Sequence, residues 1–409
     1  MQKKITIQYY VLSGLLSFCG LSLTSAIYAT FLMRHGLSLM EVNLVNGMFF
    51  AMLFIFEIPT GAYADIFGRK RAVVLACLLL ALAKCIYALS TSFWYFVCAE
   101  VVAALAFTFQ NGAFQAWFVD SMRHYGHEGS LTKKFARLTL INQGCGAIGA
   151  LTGSYLFAMG SSIPWWSGAF MLLILAIIAN VAMKESYFQK REFSLRAGAG
   201  SMWEIAKKSF YYAKVHKPVR FVLVVTFVQI FAVMSLNMYW QPFFQAKGLE
   251  PIYFGWLFFG MMSFLALGGF IVSKIDTQGR EKQIILVTQM AAGLVVGVVA
   301  FVPTLSVALF FFMVHELPRG SWFPVKEGYL QQRIPSEERA TISSFCSTAP
   351  HIGGAIGLVV SGVIAEYFGI SIAWLVSGLV LIGGSLVVAR NGNGSGNSVS
   401  DWNSASDRG

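Results

Sequence analysis

The sequence predicts an all-α membrane protein with twelve transmembrane helices in two pseudo-symmetric six-helix bundles. Of the 409 residues, 56% are hydrophobic and only 12% are charged, whereas soluble domains carry roughly twice that charged fraction. Apolar runs recur along the chain, each close to the ~20 residues that a helix needs to cross a bilayer. Lysine and arginine gather in alternate connections between these runs. Together, these three observations favour a multi-pass helical protein over a soluble one.

Twelve apolar runs are candidate membrane spans, and we refer to them by number, from the first span to the twelfth. The basic start Met1-Gln2-Lys3-Lys4 precedes a run that is too long for a signal peptide, so we interpret the first span as an uncleaved helix. Short connections predict that consecutive helices are antiparallel neighbours. The spans lie at roughly 8–32, 42–62, 72–91, 94–118, 136–158, 164–183, 219–244, 252–274, 283–302, 305–329, 341–366 and 370–389.

One long, basic connection separates the sixth span from the seventh, at 184–218. It predicts a bundle at 1–183, a cytoplasmic linker at 184–218 and a second bundle at 219–390. Within the linker, 202–214 carries apolar and basic residues at helical spacing, which indicates a helix on the inner membrane surface. Its role is either a passive tether or lipid sensing. The tail, 391–409, is rich in Gly, Asn and Ser, which predicts disorder.

The distribution of positive charge predicts the orientation. Of the 30 lysines and arginines, 25 lie on the side that both termini share, and only Arg34 and Lys247 lie opposite. Cytoplasmic connections carry such an excess, so both termini are predicted to be cytoplasmic in a cell (inner or plasma) membrane. The net charge of +11 is therefore explained by the bilayer and does not indicate nucleic acid.

Neither the cysteines nor known catalytic motifs point to an enzyme. All six cysteines fall within apolar runs without a Cys-x-x-Cys pair, so we interpret them as buried thiols and not as disulfides or metal ligands. No metal site and no cofactor is expected. The chain has no His-Glu-x-x-His, Gly-x-Ser-x-Gly or phosphate-loop motif. The sequence therefore predicts a protein that is not an enzyme.

The connection between the second and third spans carries a distinctive motif, Gly61-Ala62-Tyr63-Ala64-Asp65-Ile66-Phe67-Gly68-Arg69-Lys70-Arg71. An ordinary basic turn would explain the three cations but not Asp65 or the two glycines. The pattern Gly-x-x-x-Asp-x-x-Gly-Arg-Lys-Arg resembles the signature loop between the second and third helices of the major facilitator superfamily. The resemblance covers essentially residues 5–390 and implies two bundles that rock to expose a central cavity to alternate sides.

The two halves repeat at nearly one spacing. Gly146-Ala147-Ile148-Gly149 in the fifth span recurs 208 residues later in the eleventh, and Asp65 recurs as Asp276 after 211 residues. Such internal duplication is common in transporters. Glycines in the fifth and eleventh spans predict close helix contact. They are Gly144, Gly146, Gly149, Gly153, Gly353, Gly354, Gly357 and Gly362.

The resemblance implies a cytoplasmic latch in the signature loop. It assigns Asp65 and Arg69 to this latch, with Gly61 and Gly68 in the same loop, and places Asp120 as the partner of Arg69 at the end of the fourth helix. An anion is favoured at a helix N-terminus, and a charge-assisted pair can open and close. The alternative is a set of solvated interface charges.

By the repeat, a mirror latch is predicted in the second half. It consists of Asp276, Arg280 and Glu327, and Glu327 lies 207 residues after Asp120.

Charged residues inside spans are functional candidates because their burial is costly. Lys84 and Glu100 lie eight residues on either side of Ser92, so antiparallel helices place them at similar depth. They are predicted to form a buried ion pair, as a structural clamp or as part of a proton relay.

The tenth span carries the densest polar group of any span, His315, Glu316 and Arg319, at spacings that allow a shared flank. Pro318 and Pro324 are expected to bend or loosen this helix. We interpret the group as a binding site for substrate or protons, and mutual neutralisation is the alternative.

In the major facilitator superfamily, which the sequence resembles, the first, fourth, seventh and tenth helices line the cavity. Glu57 and His351 are lesser candidates, interpreted as a helix-end cap and a satisfied interior histidine. Two departures from proton-coupled drug antiporters are a missing proline in the fifth-helix motif and Thr108 where an arginine is typical. The predicted wall residues are Tyr28, Gln110, Asn111, Gln115, Gln229, Asn237, Tyr239, Trp240 and Trp322.

These observations predict a secondary active transporter that moves a small organic solute by alternating access, as a monomer in the lipid bilayer. The resemblance is to drug/proton antiporters or to an uncharacterised prokaryotic branch of the superfamily. Export with possible proton coupling is the first hypothesis. The alternatives are a metabolite uptake carrier and a non-transporting membrane scaffold or sensor with the same fold.

Overall fold

The computed structural model describes residues 1–129, 131–185, 216–334, 342, 345–346 and 351–391. Within these ranges the chain is almost entirely helical and contains no strand, which confirms the predicted all-α class. It divides into two compact units, Met1–Ala199 with Gly248–Phe259 and Gly200–Lys247 with Gly260–Gly409. The predicted surface helix at 202–214 and nearly all of the tail lie outside the described residues. The proposed linker boundaries therefore stay predictions.

The first six spans lie at their predicted positions, with ends that differ from the prediction by up to six residues. The first is interrupted by a π-helical turn, Ser17–Ser22, and the second starts with a capping box in which Ser38 and Glu41 bond each other's backbone N–H groups. The spans are Gln2–Leu16 continuing through Leu23–Ser25 and Tyr28–Arg34, then Leu39–Phe67, Arg69–Leu89, Phe93–His124, Thr132–Met159 and Ile163–Ala182.

The second six spans also fall where they were predicted. The tenth is built from two helices that meet at His315. These spans are Lys217–Ala246, Phe254–Ser273, Glu281–Val299, Leu305–Val314 with Glu316–Gln331, His351–Phe368 and Ile370–Asn391.

Nine of the helices in the described part of the chain are long and apolar enough to cross a membrane. The other three spans fall short for separate reasons. Glycine and polar residues dilute the apolar character of Thr132–Met159, the break at His315 shortens both pieces of the tenth span, and the apolar stretch Ile352–Phe368 has fewer than 18 residues. A helix nevertheless occupies each of the twelve predicted positions.

Glycines bring paired helices into backbone contact in each unit, as the sequence predicted. A Cβ at Gly153 of the fifth span would overlap the Leu23 carbonyl oxygen of the first span. A Cβ at Gly357 of the eleventh span would overlap the Phe231 carbonyl oxygen of the seventh. Lipid offers no hydrophobic drive for helix association, so such close van der Waals packing holds these pairs together.

The cysteines differ in part from their prediction. All six are free, and Cys19, Cys77 and Cys346 are buried as expected. Cys98 is exposed, and Cys85 and Cys145 are half-buried. An apolar run contains residues that face lipid as well as residues that pack in the core. Hydropathy alone therefore does not show which cysteines are buried.

Candidate functional site

The connection between the second and third spans is shorter than predicted. The second helix continues to Phe67 and the third begins at Arg69, so only Gly68 separates them, with φ of 98°. A positive φ favours glycine. Hydropathy placed the ends near 62 and 72 because it follows the apolar runs, whereas the helical backbone continues through the polar residues beyond them. A Cβ at Gly61 would meet no atom within 4 Å, so packing does not require that glycine.

The guanidinium of Arg69 forms an ion pair with the carboxylate of Asp120. Arg69 is the first residue of the third helix, and Asp120 lies in the last two turns of the fourth. The two side chains are 22% and 37% exposed, so the pair contributes modestly to stability. The side chain of Asp65 lies outside the described residues, and its part in the latch stays a prediction.

Glu185 joins this cluster, although no sequence pattern pointed to it. Its Oε1 accepts a hydrogen bond of 2.8 Å from the backbone N–H of Arg69, and the backbone N–H of Lys70 also bonds its carboxylate. The Trp117 indole donates to the neighbouring Lys184 carbonyl at 3.1 Å. Glu185 therefore caps the third helix, whose first N–H groups have no partner within the helix.

Burial raises the pKa of Glu185, and the hydrogen bonds from the Lys70 and Arg69 backbone only partly oppose that effect. A local signal for such a cap does exist. The third helix opens with three cations, Arg69, Lys70 and Arg71, and has no acid in its first turn. A helix N-terminus with three cations favours a carboxylate from elsewhere in the chain, but no spacing rule points to residue 185.

The predicted mirror latch does not form among the described residues. Asp276 is exposed and accepts a hydrogen bond of 3.1 Å from the Gln278 backbone. Glu327 pairs with its neighbour Lys326 and not with Arg280. The repeat offset shifts by a few residues along the chain, because the connections of the two halves differ in length, so matching by sequence selected the wrong charges.

The predicted ion pair between Lys84 and Glu100 is also absent from the described contacts, although both side chains are buried. Lys84 Nζ donates to the Thr24 hydroxyl at 3.0 Å and lies 5.2 Å from the centroid of the Trp165 ring. Glu100 Oε1 accepts from the Tyr28 hydroxyl at 2.5 Å. The first span supplies hydroxyl partners to both charges. These contacts therefore form a cluster that draws on four spans, the first, third, fourth and sixth.

The structure brings together the three polar residues of the tenth span. Arg319 Nη1 donates to Glu316 Oε1 at 2.6 Å, and His315 Nε2 lies 3.5 Å from the same oxygen. His315 Nδ1 contacts the Phe312 carbonyl, so Nδ1 carries a proton. Pro318 has no N–H for the Val314 carbonyl, which explains why the helix breaks at His315.

Glu316 is fully buried, and its second oxygen, Oε2, has no hydrogen-bond partner among the described residues. Further buried atoms in the same unit share this property, among them Nε1 of Trp322 and Oε1 of Gln229. Buried polar atoms normally form hydrogen bonds. These three atoms can therefore accept or donate to a solute or a water molecule.

The other predicted wall residues are divided between the two units. In the second unit, Tyr239 and Trp240 are buried and Asn237 is half-buried. In the first unit, Gln110 is half-buried, whereas Asn111 and Gln115 are exposed. Their joint role in one passage stays a prediction.

The two lesser candidates, Glu57 and His351, do not add to the site in the described structure. Glu57 is exposed in mid-helix, ten residues before the second span ends, so it is not a helix-end cap. The side chain of His351 lies outside the described residues. Within the described ranges, no group of three or more His, Cys, Asp or Glu side chains is placed to hold a metal ion.

Helices at the twelve predicted positions in the described part of the chain, a sequence repeat between the two halves and buried charges inside the spans define the class of multi-pass membrane transporters. The sequence profile of the Major Facilitator Superfamily matches residues 10–316 and 222–396. The chain belongs to the Major Facilitator Superfamily.

Similar proteins agree with this assignment. An uncharacterized MFS-type transporter of Bacillus subtilis (strain 168), YxaM, is 22% identical over 375 residues, which is 89% of this chain and 90% of that protein. Multidrug resistance protein 2 of the same organism is 22% identical over 402 residues, 94% of this chain and 96% of that protein.

Solved structures show the same fold. The nucleoside transporter NupG superposes with a TM-score of 0.77 at 12% identity, over 96% of this chain and 100% of that one. A bacterial homolog of the human lysosomal transporter Spinster, in an inward-facing state, superposes with a TM-score of 0.70 at 13% identity, over 95% of each chain. At such low identity the likeness extends to the fold alone.

Proposed function

We propose that this protein is a secondary active transporter that exports a small organic solute by alternating access, coupled to protons at Glu316. The observation that carries this proposal is the arrangement of the tenth span. Glu316 is fully buried, accepts from Arg319 through one oxygen, which also lies 3.5 Å from His315 Nε2, and keeps the other oxygen without a partner among the described residues.

This arrangement can couple a proton to a solute. As an anion, Glu316 holds Arg319 through a charge-assisted hydrogen bond. Protonation removes the negative charge, weakens that bond and frees the guanidinium. When Glu316 takes up a proton, the freed Arg319 guanidinium can interact with the solute. Proton binding and solute binding are therefore linked at this intramembrane carboxylate.

The solute we favour is amphipathic and organic. Buried aromatic and amide residues accompany Glu316 in the second unit, among them Trp322, Tyr239 and Gln229. Aromatic faces with a few polar atoms suit such compounds. One similar protein is named for multidrug resistance, Multidrug resistance protein 2, and this name supports export as the direction of transport.

Uptake of a metabolite is the second candidate, because NupG is named a nucleoside transporter. A non-transporting scaffold is disfavoured, because the Arg69–Asp120 pair of the latch is present. We further propose that both termini are cytoplasmic, that the protein lies in the cell membrane as a monomer, and that it catalyses no reaction. The positive charge of the connections on the side of the termini supports this orientation.

The test is a thermal-shift screen of the purified full chain followed by transport in proteoliposomes. Ethidium, a lipophilic cation, and uridine, a nucleoside, represent the two candidate classes. We expect a stabilising amphipathic hit that moves when a pH gradient is imposed. Movement of uridine alone would favour the uptake carrier, and the absence of any transported hit would favour the scaffold.

A further inference from the structure

An ion pair in the second unit has no part in the predicted mirror latch. Arg333 Nη2 lies 3.4 Å from Glu281 Oε2, and the two side chains are 28% and 5% exposed. Glu281 is the first residue of the ninth helix, and Arg333 lies two residues after the end of the tenth. The pair therefore joins the start of one span to the end of the next.

Helix positions relate this pair to Arg69 and Asp120. Arg69 is the first residue of the third helix, and Glu281, 212 residues later, is the first residue of the ninth. Asp120 and Arg333 are 213 residues apart, near the ends of the fourth and tenth spans. Both offsets agree closely with the spacing of the sequence repeat, so the two pairs occupy equivalent places in the two halves with opposite charges.

The inverted charges follow from how each helix start obtains its carboxylate. A helix N-terminus favours an anion. The ninth helix carries Glu281 in its own first turn, so a cation from outside the helix completes the pair. The third helix starts with Arg69, and Glu185 supplies the anion from outside. In each half, one carboxylate thus lies at the start of the helix, the third or the ninth. One ion pair then connects that helix start to the following span.

Aromatic packing holds Arg333 in place. Its guanidinium lies 4.0 Å from the centroid of the Tyr329 ring and donates to the Tyr329 carbonyl at 3.1 Å. Tyr329 packs edge-to-face against Phe221 of the seventh span, with ring centroids 5.2 Å apart. Cation–π contact adds to the ion pair, so the cluster connects three spans.

We propose that Glu281 and Arg333 are the second latch of this transporter, a charge-inverted counterpart of Arg69 and Asp120. This latch rests on the proposed function for its role in transport and for its cytoplasmic position. It holds the ends of the ninth and tenth spans together and shields the hydrophobic cluster beneath it.

Cys346 reports on this shielding. It is 1% exposed and belongs to the same buried cluster as Tyr329 and Ile334. The experiment uses the full chain with the other five cysteines replaced by serine, in inside-out vesicles, and a membrane-impermeant maleimide. Glu281→Arg and Arg333→Glu should each raise the labelling rate of Cys346 roughly tenfold, as expected for loss of a coupled charge pair. The double variant Glu281→Arg/Arg333→Glu restores an ion pair and should label within about twofold of the parent.

A matched control places the same new charge beside the pair. Gln283 is exposed in the same helical turn, so Gln283→Arg should label like the parent. If the double variant labels as fast as the single variants, or if the single variants label like the parent, the proposal is wrong. Should the charge reversals not yield a monodisperse protein, Glu281→Gln and Arg333→Gln replace them. Faster labelling in these variants supports the latch, and parental labelling refutes it.

The labelling needs no solute, so its outcome is separate from that of the proposed function. Absence of transport together with a protective pair would reject the transporter and keep the contact. If the protein transports but the Glu281–Arg333 pair does not protect Cys346 from labelling, the latch is rejected and the transporter is kept.

Discussion

Glu185 shows how a single residue can determine the pH response of the latch region. Burial raises the pKa of its carboxyl group, so the folded protein binds a proton over a range of pH in which the unfolded chain is already ionised. The corresponding stability is greatest below the ordinary glutamate pKa and is lost as pH rises through the raised value.

Glu185→Gln removes this titration but keeps an oxygen that accepts from the Arg69 backbone. We therefore expect the wild-type melting temperature to fall more steeply than that of the variant as pH rises from acid towards neutral. The measurement is a series of thermal melts in detergent across that range. Glu128→Gln, at an exposed loop position, is the control, and parallel curves for the wild type and Glu185→Gln would contradict the assignment.

The Arg69–Asp120 pair tests the latch of the first half. Partly exposed ion pairs contribute about 0.2–1 kcal/mol, so Asp120→Asn should change stability little and slow transport several-fold. The same result is expected for Asp65→Asn, which the signature motif implicates. Thermal melts and transport rates in proteoliposomes distinguish the two effects. Wild-type turnover in both variants would remove the latch from the mechanism.

Among the helices, the sequence predicted the presence of each element better than its ends. Most glycines of the fifth and eleventh spans correctly indicated close contact, because only a missing side chain permits such an approach, but Gly144 makes no such contact. The end of the second span at Phe67 was missed, because the span was delimited by hydropathy. A bend or loosening of the tenth span was expected from Pro318 and Pro324, and the structure places a break at His315. The missing N–H of Pro318 has a local consequence that needs no tertiary information.

Substitution of Gly153 tests the contact between the first and fifth spans. A methyl group there would overlap the Leu23 carbonyl, so Gly153→Ala should destabilise the protein by about 1–3 kcal/mol. Gly144 lies in the same helix, and a Cβ at that position would meet no atom within 4 Å. Gly144→Ala should therefore be neutral or slightly stabilising. Comparable melting temperatures for the two variants would show that the close approach is not maintained in the membrane.

For the molecule as a whole, composition and one motif were sufficient to predict the family and the fold. The pairing of charges was not predictable in the same way. Lys84 and Glu100 each bond a hydroxyl of the first span, and Glu281 pairs with Arg333 instead of Arg280 with Glu327. Side-chain partners depend on helix rotation and on small shifts in register, which neither periodicity nor a repeat offset specifies.

The grouping of His315, Glu316 and Arg319 was predictable because all three lie within about one helical turn. Spacing on one helix determines which side chains are neighbours. Spacing did not show that one oxygen of Glu316 would lack a partner in the described structure, because that depends on every helix packed around it.

Proton coupling at Glu316 is the proposal on which the direction and energetics of transport depend, and Glu316→Gln is its sharpest test. The variant and the wild type are reconstituted in proteoliposomes, and transport of the amphipathic hit is measured with and without a pH gradient. We predict that the gradient accelerates the wild type and has no effect on Glu316→Gln, while Glu128→Gln behaves as the wild type. An unchanged response to the gradient in Glu316→Gln would contradict the proposal.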